Sequence, residues 1–182
     1  MERKRILTIP KILIHTLILS LAASALHFVY KLSGKILVIG LFSPVNESVW
    51  EHLKAMFFPL LIWWIVMCLI RNKKWGIPVS VWLFSAAISL VVAPLSVVLL
   101  FYGYTGALGF HALFIDILLV PIGYFAALWL AARFLTYLKP NKWLAVISVV
   151  VIVALLIVFI AFTLSPPHLP ICFDKRAQKY GI

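Results

Sequence analysis

Long apolar runs separated by short polar breaks dominate this chain. Five runs are long enough to cross a bilayer: Ile12–Tyr30, about Trp50–Ile70, Ile77–Phe101, Gly109–Leu135 and Trp143–Leu164. At ~1.5 Å per helical residue the first covers about 28 Å, close to the ~30 Å hydrocarbon thickness. Apolar residues occupy all faces of each run, as lipid-facing helices require. The pattern predicts an all-α transmembrane helical bundle of about five spans. Residues 1–182 form a single integral membrane domain, and 165–182 form a polar tail. Pro78, Pro94 and Pro121 fall inside predicted spans, where membrane helices tolerate them. The short apolar stretch Ile36–Phe42, flanked by Gly34 and Gly40, reads as an interfacial or re-entrant piece.

Composition agrees with this pattern. Hydrophobic residues are 65% and charged residues 12% of the chain, and mean hydropathy is +1.14. A soluble domain averages about 45–50% apolar and about 25% charged. The net charge of +11 does not point to nucleic acid, because the basic residues cluster at the ends of the apolar runs. With the N-terminus cytoplasmic, ten Lys and Arg lie inside and six outside. The positive-inside rule therefore places the tail outside a cell membrane. The basic start and Ala23-Ser24-Ala25 look like a signal peptide. The apolar run continues to Tyr30, however, so an uncleaved first helix is expected. Cys68 and Cys172 fall on opposite sides and are expected to be free thiols.

Charge chemistry concentrates in residues 42–59. Glu47 and Glu51 are two of only five acids, with His52 and Lys54 beside them. Ser43-Pro44 suits a helix start. From there Glu47, Glu51 and Lys54 would stack on one face, with His52 on another. Ala55–Ile70 covers only ~24 Å, so the span must begin near Trp50, with these polar groups at the boundary. Asp116 falls about two turns into the fourth span, where an acid must face the bundle and find a partner. Its expected partners are His52, Lys54 or a bound cation. His27, His52, His111 and His168 all fall toward the tail side, with His15 the exception. These positions make Glu47, Glu51, His52 and Asp116 candidate catalytic groups. Asn46, Lys54, His111 and His168 are candidate substrate contacts. A divalent cation is the candidate cofactor, with His52, His111 and Asp116 as candidate ligands. No His-Glu-x-x-His or paired-cysteine spacing is present. The competing reading is a set of salt bridges that lock helices.

The segment Ser43-Pro44-Val45-Asn46-Glu47-Ser48-Val49-Trp50-Glu51-His52-Leu53-Lys54, with Pro166-Pro167-His168-Leu169-Pro170 and the ending Tyr180-Gly181-Ile182, resembles a family of small multi-pass membrane proteins of unknown function from Gram-positive bacteria. That resemblance implies a bacterial membrane protein and supplies no activity. More loosely, His, Asp and Glu scattered at one side of several helices look like the metal-dependent membrane hydrolases of the ceramidase and progestin-receptor type. Their His-x-x-x-His pair is absent here. Three classes fit the pattern: a membrane-embedded hydrolase or transferase on a lipid-like substrate, a proton- or cation-coupled transporter, and a non-catalytic membrane subunit. Oligomeric state leaves no signature in the sequence.

Overall fold

The computed structural model of the chain describes residues 6–182, save the side chains of residues 71–75. Arg3, Lys4 and Arg5, on which the orientation partly rests, lie outside the described residues, as do the side chains of Arg71, Lys73 and Lys74. Six α-helices follow in order: α1 Ile9–Leu32, α2 Leu37–Gly40, α3 Val49–Trp75, α4 Val79–Leu108, α5 Leu113–Tyr137 and α6 Lys142–Leu164. All except the single turn α2 are long and apolar enough to cross a membrane. The chain alternates direction through them. Residues 33–48, 109–112 and 165–182 therefore gather at one end, called here the tail end.

The bundle is organised around α4, which packs against α3, α5 and α6, while α1 lies on α3 and α5. Gly123 of α5 makes the closest approach: a Cβ there would sit 2.8 Å from the Ala93 carbonyl oxygen of α4. Only glycine allows the two backbones to meet at this point. Fully buried Tyr124, beside it, donates its hydroxyl to the Met56 carbonyl at 2.9 Å and ties α5 to α3. Trp64 donates to Ser89 at 2.6 Å and ties α3 to α4. In hydrocarbon such groups find no water, so each bond replaces a costly orphan. Outward faces of α1 and α6, such as Leu17, Leu21, Val150 and Ile157, are exposed as lipid contact requires.

Four boundaries differ from the sequence reading. Pro78 stands at the N-cap of α4, before the helix. α4 then runs on to Leu108 and ends on Gly109, whose φ of 72° is the left-handed conformation that closes helices. α5 begins at Leu113, so Asp116 lies in its first turn, nearer the boundary than expected. Most consequential, α3 starts at Val49, and Ser43-Pro44 is not its entry. Ser43 donates its hydroxyl back to the Ile39 carbonyl at 2.8 Å and closes α2. Ser48 serves at the true start, its Oγ accepting the Glu51 amide at 3.4 Å. Glu47 is therefore outside the helix, and of the expected Glu47–Glu51–Lys54 ladder only the Glu51–Lys54 pair forms.

The tail is folded. Pro170–Cys172 form a 3-10 turn, and strands β1 Phe173–Asp174 and β2 Lys179–Tyr180 pair antiparallel, Phe173 opposite Tyr180.

Candidate functional site

The loop before α3 is held from both sides. Asn46 accepts the Ser48 amide at 2.9 Å and donates to the Gly181 carbonyl at 2.9 Å. Buried Asp174 accepts the Glu47 amide at 2.9 Å, together with the amides of Arg176 and Ala177. Burial pushes the Asp174 carboxyl up. The three amides and the Arg176 charge outweigh it and hold the group below the usual carboxylate range. Burial also raises the Cys172 thiol, and the nearby Glu51 charge adds to that shift. Cys68 and Cys172 are both free.

This strapping aims the Glu47 side chain at two histidines. His27, from the last turns of α1, places Nε2 3.4 Å from Glu47 Oε1. His52, from the first turn of α3, places Nε2 3.8 Å from Oε2. The two rings stack with centroids 5.1 Å apart. One donor atom from each of the three residues lies within 4.8 Å of the others. His52 Nδ1 sits 2.7 Å from the Ser48 carbonyl. A carbonyl only accepts, so in the neutral ring the proton is on Nδ1, and the Nε2 lone pair faces Glu47. Metal-bound histidines are oriented in this same way. The cluster is open: His27 and Glu47 side chains are 22% exposed and His52 is 47% exposed. Two cations share the carboxylate, Lys31 at 3.5 Å and Arg176 at 4.0 Å.

Glu51 and Lys54 form a separate, closed unit. Lys54 Nζ lies 2.6 Å from Glu51 Oε2, with side-chain exposures of 0% and 3%. The ammonium also donates to the Gly40 carbonyl at 2.7 Å and to Thr163 Oγ1 at 2.8 Å. An ammonium has three donors, and all are used inside the chain. Glu51 Oε2 further accepts the Val45 amide at 3.0 Å. The pair clasps α2, the loop, α3 and α6. Lys54, expected to contact substrate, is enclosed. Glu51, expected to be catalytic, is committed to its own chain.

Asp116 stands in a third place. It is half-buried and accepts a hydrogen bond from Tyr104 of α4, while His111 Nδ1 lies 3.7 Å away. Neither His52 nor Lys54 is its partner, which corrects the sequence expectation. The reason is the α4–α5 connection, which brings Tyr104 and His111 to Asp116 before any residue of α3. His168 is exposed and packs on Tyr180, with ring centroids 4.7 Å apart. The candidate site residues Glu47, Glu51, His52, Lys54, His111 and Asp116 are thus divided among three places. His27, Lys31, Arg176 and Tyr104 escaped the site reading. The signal for His27 was its position at the tail end of the first span, opposite His52.

The model of the family of unknown function DUF6512 matches residues 1–182. The chain belongs to this family. No curated protein and no solved structure matches it. Family membership therefore brings no activity with it, and the His27–Glu47–His52 arrangement has to be read on its own chemistry.

Proposed function

We propose that the protein is a membrane-embedded hydrolase or transferase for a lipid-like substrate, working at a divalent metal ion held by His27, Glu47 and His52. One observation carries this reading: three donor atoms from α1, the loop and α3 converge within 4.8 Å, with the His52 lone pair already directed. Three protein ligands with an open position are the arrangement of catalytic zinc sites. A metal there would polarise a substrate oxygen or supply hydroxide near neutral pH. The chain's own residues do the rest. Ser48 fixes the His52 ring, and Asp174 holds the loop that carries Glu47. Lys31 and Arg176 balance the carboxylate now. With Glu47 engaged by a metal, these two cations would remain close to the cluster and would favour negative charge developing on a bound substrate. The Lys/Arg asymmetry supports a cytoplasmic N-terminus, with the cluster facing outside a bacterial cell membrane.

The test is metal content after purification in detergent and loading with zinc. Wild type should retain about one ion per chain, and His27→Ala, Glu47→Gln and His52→Ala should each lose it. His111→Ala and Asp116→Asn should retain it. A wild type that holds no metal after loading, or triad variants that bind as wild type does, would overturn the reading.

A second reading, a non-catalytic membrane subunit, is favoured by the enclosed Glu51–Lys54 clasp, which locks helices and binds nothing else. It predicts full biological function from all three triad variants.

A further inference from the structure

A second feature of the tail end lies apart from the metal cluster. Between the last turns of α4, the 109–112 connection and the tail turn is an open cavity of about 360 Å³. Ligand pockets begin at about 300 Å³. Its walls are Phe101, Tyr102 and Phe110, with Gly106 between them, and its polar lining includes His111 and Lys175. Tyr102 and Phe110 are 43% and 55% exposed, at the depth where aromatic side chains meet lipid headgroups. The Lys175 ammonium has no hydrogen bond or ion pair among the described residues, whereas the four described acids all have partners. The two acids nearest this cavity in the chain are both taken: Asp174 accepts the amides of Glu47, Arg176 and Ala177, and Asp116 accepts from Tyr104, with His111 beside it. The cavity is therefore apolar along its length and carries an unneutralised cation at its rim.

We propose that this groove binds an anionic phospholipid of the surrounding bilayer. The acyl chain lies against Phe101, Tyr102 and Phe110, and the phosphate sits on Lys175. Charge complementarity decides the occupant: a zwitterionic lipid carries its own cation next to the phosphate and gains less from Lys175. The site shares no residue with His27, Glu47 and His52, so it stands or falls separately from the metal reading.

The experiment is native mass spectrometry of the full chain released from detergent with phosphatidylglycerol, phosphatidylcholine or inorganic phosphate. Phosphatidylglycerol should be retained over phosphatidylcholine, and Lys175→Ala should lower its retention about fivefold, the effect of one surface cation. Gly106→Leu should abolish retention by filling the groove. A Cβ at Gly106 meets nothing within 4 Å, and leucine is the better helix former, so this variant keeps its fold and its melting temperature. Both variants should hold zinc as wild type does. Equal retention of the two lipids overturns the proposal, as does unchanged binding in Gly106→Leu. Displacement of phosphatidylglycerol by inorganic phosphate at equal concentration also overturns it, since the acyl chain would then contribute nothing.

Discussion

Glu47 and Glu51 are four residues apart and behave as opposites. Glu51 is sealed with Lys54, each donor of the ammonium has an acceptor, and nothing from outside reaches either group. Glu47 is partly exposed and faces two histidines and two flexible cations, none closer than 3.4 Å. A buried pair with complete hydrogen bonding is a fastening. A half-open carboxylate among loosely spaced lone pairs is a place where a ligand can enter. Residue type alone does not separate these cases. Satisfaction and access do.

The clasp should give the largest effect. Lys54→Met leaves the Glu51 carboxylate buried without its partner and should cost ~3–5 kcal/mol, read as a lower melting temperature in detergent. Adding Glu51→Gln should recover most of that loss. An unchanged melting temperature in the single variant would break the comparison at its closed side. Asp174 stands between the two cases, a buried acid that positions the open one. Asp174→Asn weakens charge-assisted bonds to three amides and should cost ~1–3 kcal/mol. The carboxyl lies below its ordinary value when folded. Its contribution is therefore full above the unfolded carboxylate pKa and is lost as pH falls through the folded value. Hydrogen exchange at the Glu47 amide should accelerate on that acid limb, and the limb should vanish in Asp174→Asn.

The open cluster should give the smallest stability effect. With chelator present, His52→Ala should shift stability by no more than ~0.5 kcal/mol, as at ordinary surface sites. A melting loss as large as that of Lys54→Met would make the cluster a second fastening. Finally, cysteines at exposed Lys139 and Lys179 should react from opposite sides of a sealed vesicle, Lys179→Cys from outside. These changes should leave stability untouched and identify the compartment the cluster faces. Cys172 is buried and is a poor probe for this purpose.

The five long helices were legible because apolar length is written directly in the chain. The Ser43-Pro44 error shows the limit of local rules. Those residues have the right chemistry for a helix start, but Asn46, Ser48 and the Glu51 carboxylate offer the same backbone more hydrogen bonds in a loop. The histidines at one end of the spans were also visible, and His27 and His52 do meet. What sequence spacing could not supply was which polar groups would pair with each other across helices. Lys54 finds Gly40 and Thr163, and Asp116 finds Tyr104, through contacts set by packing. Helical periodicity within one span carries no record of them.

The strap between Asn46 and Gly181 joins residues 135 positions apart, and it depends on parity. Each crossing of the bilayer reverses the chain, so the tail returns to the side of residues 33–48 only when an even number of crossings separates them. A chain that skipped one insertion would carry its tail on the wrong side, with Glu47 unheld and the two histidines facing a loose loop. The strap thus acts as a check on the four insertions between its ends, those of α3, α4, α5 and α6, and the cluster is completed only in chains that have passed it.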